Sequence, residues 1–165
     1  MIVLGIDPGL SGGLAVVAGT PGKLRLIEAV DVPTHGEAAK RRVHAAAAID
    51  FIQRHMPDLA LIERAQAMPD QGASSGFIYG RAVGALEACV EGLGLRLVVV
   101  ESTAWKKHHD LRGGKSKEDS RQRAIQMFPS AAGLERKKDH NRAEAALIAA
   151  YGCAIARGVM ADPTV

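Results

Sequence analysis

The chain opens with the stretch Met1-Ile-Val-Leu-Gly-Ile-Asp7-Pro8-Gly9, an apolar run that ends at an acid and a turn. This pattern predicts a short buried strand over residues 2–6, which Pro8-Gly9 terminates. A second stretch of the same kind, Asp58-Leu-Ala-Leu-Ile-Glu63, lies further along the chain. We therefore expect two buried strands, each of which ends in a carboxylate.

The segments around these two strands predict an α/β fold. The patterns indicate three more strands and four longer helices, with a short helix around Trp105. The strands are expected over 12–18, 24–32 and 95–100, and the helices over 40–55, 76–91, 117–128 and 140–157. This order predicts a mixed five-stranded sheet, three antiparallel strands and then parallel ones, flanked by helices. We expect one domain over residues 1–157 and a flexible tail over 158–165.

Length and composition are those of an ordinary globular protein. The chain has 165 residues, of which 47% are hydrophobic and 24% are charged, and this excludes disordered and low-complexity classes. No apolar run approaches the length of a membrane span, and the first residues lack the basic region of a signal peptide. The two cysteines, Cys89 and Cys153, form neither a disulfide framework nor a metal cluster, so we expect a cytoplasmic protein.

Positive charge is concentrated in one part of the chain. Residues 103–142 contain eleven Lys or Arg and five Asp or Glu, whereas the rest contains ten and thirteen. Such a segment favours a polyanionic partner, although a solvated face rich in lysine gives the same count. Basic side chains near one aromatic ring are typical of nucleic-acid surfaces. Trp105 is either that stacking ring or a core residue.

The carboxylates Asp7 and Glu63 are candidate metal ligands. Sites in open α/β sheets form at the carboxyl ends of the strands, where both residues are expected. Two acids beside apolar segments are costly to bury unless they are paired or bind a metal. Neighbouring carboxylates suit a hard cation such as Mg²⁺ or Mn²⁺, and the alternative for each acid is a solvated strand end.

The last helix adds a third acid to this group. Glu144 shares one helix stripe with Leu147, Ile148 and Tyr151, so it is expected to face the sheet. An acid near the start of a helix is also favoured by the helix dipole. His140 lies one turn before Glu144 on the same face. Asp139 points elsewhere on the helix and is expected to cap it.

Small residues recur every fourth position in the helix predicted over 76–91, at Gly76, Gly80, Gly84 and Ala88. They form a smooth stripe on which another backbone can pack closely. The stripe is either the seam of a homodimer or a surface packed against the sheet of the same chain.

Two glycine-rich segments are compared with nucleotide-binding motifs. Residues 7–13 resemble the phosphate-binding turn of sugar kinases and actin-like ATPases, but those folds need two such domains. The segment Gly113-Gly114-Lys115-Ser116 resembles the end of a P-loop, but His109 stands where the motif needs a glycine. We therefore expect no nucleotide cofactor.

Three blocks in order resemble the RuvC family of Holliday-junction resolvases, and short phage-type members most of all. The blocks are Ile2 to Gly9, Leu61-Ile-Glu63-Arg64 and the segment from Lys137 to Ala149, and the resemblance spans residue 2 to about 157. It implies a ribonuclease-H-like fold and a homodimer in the cytoplasm of a bacterial or phage-infected cell. It also implies metal-dependent, symmetric cleavage of four-way DNA junctions.

The resemblance implies roles for individual residues. Asp7 matches the aspartate of the first strand, Glu63 the glutamate of the fourth strand, and Glu144 the acid of the final helix, which is usually Asp. The family's fourth ligand usually lies three or four residues before that acid, at Asn141 or His140 in this chain. Some members have His there, so His140 is favoured, with Asp139 as the competitor. The stacking aromatic that follows the family's glutamate is absent, because Gln66 and Met68 occupy that stretch.

The predicted reaction is hydrolysis of a DNA phosphodiester with two Mg²⁺ ions, for which Mn²⁺ substitutes, leaving 5′-phosphate and 3′-hydroxyl ends. Phosphate contacts are assigned to basic residues on or near the positively charged segment: Arg64, Lys106, Lys107, Lys115, Lys117, Arg121 and Arg123. The alternatives are a nuclease of the same fold that acts on other branched nucleic acid, and a catalytically silent junction-binding module.

Overall fold

The computed structural model of the chain describes residues 1–66, 72–111 and 116–161. The strands, in chain order, are β1 (Ile2–Asp7), β2 (Gly13–Thr20), β3 (Lys23–Asp31), β4 (Thr34–His35), β5 (Arg42–Val43), β6 (Leu59–Glu63) and β7 (Leu97–Val100). The helices are α1 (Ala45–His55), α2 (Ala73–Glu91), α3 (Ser102–His108), α4 (Lys117–Met127) and α5 (His140–Ala161). Short 3-10 turns lie at Ala38–Lys40 and Lys137–Asp139.

Five of the strands form one mixed sheet in the order β3-β2-β1-β6-β7. Strands β1, β2 and β3 are antiparallel, whereas β6 is parallel to both β1 and β7. The strand order places β1 in the centre, where an apolar run is buried on both sides. This arrangement confirms the predicted fold class.

Helices cover both faces of the sheet and divide the core into two layers. Because side chains alternate along a strand, Val3 of β1 packs in the layer that contains α5, whereas Leu4 and Ile6 pack in the layer that contains α1 and α2. All three side chains are fully buried. The two layers hold β1 firmly, so the position of its last residue, Asp7, is well defined.

The structure differs from the sequence prediction at three helix ends. Helix α1 begins at Ala45 rather than at residue 40, because Arg42–Val43 pairs with Thr34–His35 and His44 caps the helix by accepting a hydrogen bond from the Ala47 amide (3.2 Å). Helix α2 begins at Ala73, three residues before the predicted start at residue 76. Helix α5 continues to Ala161, beyond the predicted end at residue 157. The remaining tail, 162–165, lies outside the described residues.

Within the described ranges, none of the helices has both the length and the apolar character that crossing a membrane requires.

Candidate active site

Two of the predicted acids meet at one edge of the sheet. Asp7 is the last residue of β1 and Glu63 is the last residue of β6. The two strands are parallel neighbours with Ile6 paired to Ile62, so the next residue on each strand is one of these acids. The prediction that the two strand ends bring their carboxylates together agrees with this topology.

Helix α5 brings the third acid to the same edge because it lies directly on β1. A side chain at Gly5 would place its Cβ 2.1 Å from the carbonyl oxygen of Ala145 and 2.5 Å from the amide of Ala149. A Cβ at Gly13 would lie 2.5 Å from the carbonyl oxygen of Asn141. Both glycines therefore permit a backbone-to-backbone approach that no other residue allows. This contact sets the height of Glu144 above the sheet.

The three carboxylates form one electrostatic centre. Burial raises the pKa of Asp7 well above its usual value, and the negative charges of Glu144 and Glu63 raise it further. Lys117 and Lys106 act in the opposite direction and lower the pKa of Asp7. Burial also raises the pKa of Glu63, partly offset by a hydrogen bond from Trp105. The centre thus concentrates negative charge that two lysines neutralise in part.

Neutral donors hold the two glutamates. The indole Nε1 of Trp105 donates to Oε2 of Glu63 (2.6 Å), and the Oγ of Ser120 donates to Oε1 of Glu144 (3.1 Å). Trp105 is fully buried in the core, and the ammonium of Lys106 lies 5.1 Å from the centre of its ring. The core interpretation of Trp105 is therefore the one that the structure supports, and the same residue orients a carboxylate of the site.

Asp7 lines a pocket of about 360 Å³. Its lining includes the turn after β1, Tyr79 of α2, Lys117 of α4 and Asn141 of α5. The ammonium of Lys117 donates to Oδ1 of Asn141 (3.0 Å), and Nδ2 of Asn141 donates to the carbonyl oxygen of Ser11. These contacts tie α4, α5 and the turn together around Asp7.

Neither of the two residues predicted as a fourth ligand lines this pocket. Asp139 is 1% exposed and accepts hydrogen bonds from the backbone amide (2.9 Å) and the Nη2 (2.8 Å) of Arg136. His140 places Nδ1 3.1 Å from the carbonyl oxygen of Lys137. It lines a second cavity with Lys137 and Lys138, and Lys117 lines both this cavity and the Asp7 pocket. The position three residues before Glu144, which faces Asp7, is Asn141.

We expect the Asp139→Asn variant to lower the free energy of unfolding by about 1–3 kcal/mol at pH 7, because a buried ionic partner of Arg136 is lost. The hydrogen bonds from Arg136 lower the pKa of Asp139. Its stabilising effect is therefore complete above the unfolded-state pKa of about 3.9 and is lost as the pH falls through the lower folded-state value. Denaturant unfolding of both proteins from pH 7 to pH 2.5 should show the difference shrinking below about pH 4. An unchanged free energy of unfolding at pH 7 would contradict the structural role of Asp139. The control is His140→Ala, at the neighbouring residue, which should not lower the free energy of unfolding by this amount.

The donor chemistry of the site fits a divalent cation. Carboxylate oxygens are the ligands that Mg²⁺ and Mn²⁺ prefer, and a cation would offset the burial and the weaker charge repulsion that raise the pKa values of Asp7 and Glu63. In the part of the chain that the structure describes, no three His, Cys, Asp or Glu side chains already lie at ligating separation. A cation would therefore compete with Trp105 and Ser120 for the two glutamates.

Solved structures with a similar fold come from junction resolvases. The RuvC of T. thermophilus in complex with a Holliday-junction substrate superposes with a TM-score of 0.76 at 23% identity over 96% of both chains. The chain has the RuvC fold. A second Thermus thermophilus RuvC structure gives a TM-score of 0.70 at 24% identity, covering 96% of this chain and 97% of the other. The yeast mitochondrial Holliday-junction resolvase Ydc2 gives 0.57 at 16% identity, covering 92% and 77%. No protein-family model and no curated protein matches the sequence.

The basic residues predicted to contact DNA take different places on this RuvC fold. Lys106 and Lys117 lie beside the carboxylates, and Lys107, which follows Lys106 on α3, is exposed. Arg64 forms an ion pair with Glu101, and Arg123 lines a small cavity beside His109. Lys115, like Met68 and the glycines at 113 and 114, lies outside the described residues.

Arg121, which the sequence predicted to contact a DNA phosphate, instead forms hydrogen bonds within the protein. Its side chain is 9% exposed, and Nη1 donates to the carbonyl oxygens of Leu134 (2.8 Å) and Glu135 (3.0 Å). Its other nitrogens bond to Glu118 within α4. All three side-chain nitrogens of Arg121 are therefore engaged within the protein, and the residue holds the connection before α5 in place. Arg121 is not available as a DNA contact in this conformation.

The glycine stripe of α2 faces away from the sheet of this RuvC fold. A Cβ added at Gly76, Gly80 or Gly84 would meet nothing within 4 Å. Packing against the chain's own sheet is therefore not the reason for the small residues. Phe77 lies on the same face and is 71% exposed, with the guanidinium of Arg81 6.0 Å from the centre of its ring.

Sequence reasoning missed several residues of the site. It identified Lys117 only as a phosphate contact, and it ranked Asn141 below His140 as the fourth ligand. It did not identify the donors Trp105 and Ser120 or the pocket residue Tyr79. The only available signal was the spacing of Asn141, one turn before Glu144 on the same helix face. The others come from elements far apart in the chain.

Proposed function

We propose that the protein is a divalent-metal-dependent endonuclease that cuts branched DNA, with the four-way Holliday junction as its substrate. The observation that carries this proposal is the electrostatic centre of Asp7, Glu63 and Glu144, which lies at the edge of a RuvC fold with two lysines beside it. The solved structures of similar fold are of junction resolvases, and one of them is in complex with a Holliday-junction substrate.

Asp7, Glu63 and Glu144 are the residues that would hold the metal. Bound Mg²⁺ would activate a water molecule at neutral pH and stabilise charge on the leaving oxygen, as two-ion sites do. Asp7 is the most strongly perturbed of the three carboxylates, because it is buried and both glutamates act on it, and it would hold the metal together with Glu63 and Glu144. The expected products carry a 5′-phosphate and a 3′-hydroxyl.

The lysines beside the carboxylates position the DNA. Lys106 and Lys107 follow each other on α3, and Lys117 is the first residue of α4; Lys106 and Lys117 both act on the charge of Asp7. Their positive charges offset the repulsion between the carboxylates and a phosphodiester, which otherwise disfavours approach of the substrate. A DNA backbone that contacts both helices passes over Asp7.

We further propose that the protein acts as a homodimer through the glycine stripe of α2. A four-way junction has two symmetric cleavage positions, so two identical sites related by a two-fold axis suit it. The stripe is exposed and free of side chains, and Phe77 on the same face gives it apolar area to bury.

The Gly84→Leu variant should therefore be monomeric. In the isolated chain the new side chain has open space, and leucine favours a helix more than glycine by about 1 kcal/mol, so the fold should be kept. We expect sedimentation velocity to show half the wild-type mass, and junction cleavage to change from paired cuts to single nicks. Gln53→Leu, at an exposed position of α1 outside the stripe, is the control and should remain dimeric. A folded Gly84→Leu protein that remains dimeric would show that the glycine stripe is not part of the dimer interface.

Cleavage of a mobile four-way junction with and without Mg²⁺ tests the proposed activity. Symmetric, ligatable nicks across the junction are the expected result. Faster cleavage of flaps or three-way junctions would favour another branched substrate. Tight junction binding with no cleavage in Mg²⁺ or Mn²⁺ would identify a catalytically silent junction-binding protein.

A further inference from the structure

The second cavity beside the Asp7 pocket has a basic lining. Its volume is about 590 Å³, and it shares the side chain of Lys117 with the Asp7 pocket. Its described lining residues are Ser116, Lys117, Glu118, Lys137, Lys138 and His140. We call it the lysine cavity. Neither Lys137 nor Lys138 was predicted from the sequence as a DNA contact.

The turn before α5 presents Lys137 and Lys138 to solvent. The two lysines form a 3-10 turn with Asp139, which is buried and accepts hydrogen bonds from the amide and the guanidinium of Arg136. Nδ1 of His140 donates to the carbonyl oxygen of Lys137 (3.1 Å). Both lysines are exposed. The backbone of the turn is therefore fixed by buried contacts, and only the lysine side chains need to be ordered when a ligand binds.

The acids around the lysine cavity are already engaged. Among the described residues of the lining, Glu118 is the single acid, and it accepts hydrogen bonds from Nη2 (2.6 Å) and Nε (3.0 Å) of Arg121. Asp119, the next residue, forms the capping box of α4 with Ser116 and lines a different cavity. The lining therefore has three lysine charges and one acid, which Arg121 already pairs.

Lys137 and Lys138 have no acidic partner of their own. Within the described ranges, neither of them forms an ion pair. Like charges that share a cavity repel one another, so this arrangement lowers the stability of the free protein slightly. A polyanion that enters the cavity removes the repulsion, and it gains two cations at once.

We propose that Lys137 and Lys138 hold a backbone phosphate of the DNA strand that enters the Asp7 pocket, close to the phosphodiester that is cut. The strand passes from the Asp7 pocket across Lys117 into the lysine cavity. One DNA strand carries a phosphate about every 3.4 Å of helix axis, so phosphates about one or two nucleotides apart reach two cavities that share a wall. The contact fixes the position of the strand over Asp7 and reads no sequence. This proposal rests on the proposed function, because it takes branched DNA as the ligand.

Binding of a four-way junction in EDTA, where no cleavage occurs, tests the contact. We expect Lys137→Gln/Lys138→Gln to bind about tenfold more weakly than the wild type at about 0.15 M salt. The slope of log affinity against log salt concentration should decrease by about 1–2, because fewer counterions are released when phosphate contacts are lost. Fluorescence anisotropy measures both. Single-turnover cleavage at saturating protein should stay within about threefold of the wild type, because neither lysine lines the Asp7 pocket.

The matched control removes two exposed basic residues at the other end of the sheet. Lys23 and Arg25 are on β3, and Lys23 pairs with Thr20, whereas Asp7 pairs with Gly13 at the end of the carboxylates. Lys23→Gln/Arg25→Gln should alter neither the affinity nor the salt slope.

Two further measurements separate a lost contact from a lost fold. Lys137→Arg/Lys138→Arg keeps both charges and should bind as the wild type does. Urea unfolding should show Lys137→Gln/Lys138→Gln to be at least as stable as the wild type, since repulsion in the cavity is removed. If the double variant does not fold, Lys138→Gln alone should reduce the salt slope by about 1.

Neutral methylphosphonate groups locate the contact on the DNA. One phosphate at a time is replaced, over the three positions on each side of the cut, or of the branch point if the junction is bound but not cut. At the contacted position the wild-type affinity should fall, whereas Lys137→Gln/Lys138→Gln should lose nothing further.

Three results would overturn the proposal: an unchanged affinity and salt slope in Lys137→Gln/Lys138→Gln, an equal change in the β3 control, or no methylphosphonate position at which the two losses overlap. A wild-type binding curve in the variant together with junction cleavage rejects only this contact. The expected loss of affinity in a protein that does not cut the junction rejects only the proposed reaction.

Discussion

The Asp7→Asn variant should bind a four-way junction as the wild type does but cleave it at least about a thousandfold more slowly. Asp7 is the carboxylate on which both glutamates act, and a neutral amide is a poor ligand for a divalent ion. A thousandfold corresponds to about 4 kcal/mol of lost transition-state stabilisation. Binding depends on the lysines of α3 and α4, which the substitution leaves in place. Gel-shift titration and single-turnover cleavage measure the two effects.

The same variant should be more stable than the wild type in metal-free buffer at neutral pH, by about 0.5–2 kcal/mol. Because the folded-state pKa of Asp7 is raised, the fold favours the protonated acid. Its favourable contribution is complete below the unfolded-state pKa of about 3.9 and is lost as the pH rises through the folded-state pKa. Asparagine is neutral throughout, so the difference in stability should close as the pH falls towards 4. Asp50→Asn, at an exposed position of α1, should show no such trend.

An Asp7→Asn variant that cleaves the junction would show that the carboxylate of Asp7 is not needed for the reaction. An inactive variant that is also less stable at neutral pH would make its role structural.

The Gly5→Ala variant should lose about 3 kcal/mol of stability or more. The added methyl group would lie 2.1 Å from a backbone oxygen and 2.5 Å from a backbone nitrogen of α5, and backbone atoms in a packed core cannot turn aside as a side chain does. Helix α5 would have to move away from β1, and Glu144 would move with it. Urea unfolding gives the stability, and junction cleavage should fall even where the fold survives.

Gly80→Ala is the matched control for this substitution. Its new methyl group meets nothing within 4 Å on the exposed face of α2, and alanine is the better helix former. We expect a gain of about 0.5–1 kcal/mol in the monomeric fold. If Gly5→Ala unfolds at the same urea concentration as the wild type, α5 does not rest on β1 as closely as the structure places it.

The sequence was sufficient to predict the two strand-end acids. A buried strand has an apolar pattern that ends sharply, so the residues after it, Asp7 and Glu63, are identified by position alone. Parallel pairing of the two strands then follows from the crossover that α1 provides. Glu144 was identified by its place on an apolar helix stripe. Each of these three inferences depends on local pattern and on one rule of sheet topology.

The remaining features of the site depend on contacts between distant segments. The Lys117–Asn141 bond joins two helices, and the burial of Arg121 depends on carbonyl groups of the connection before α5. Strands β4 and β5 have two residues each, too few for any periodicity to show. His140 was favoured over Asn141 because some members of the RuvC family have His at this place. A helical wheel puts both residues near Glu144, and only the packing of α5 on β2 decides which of them faces Asp7.

The hydrogen bond between Trp105 and Glu63 gives the protein an optical reporter of its own site. Trp105 is the chain's single tryptophan, so all indole fluorescence comes from one ring. That ring is shielded from water, and its nitrogen donates to the carboxylate of Glu63, which would coordinate a metal ion. Occupation of the centre by a metal ion would therefore alter the electrostatic field at the indole, and we expect the emission spectrum of the unlabelled protein to report the filling of the site.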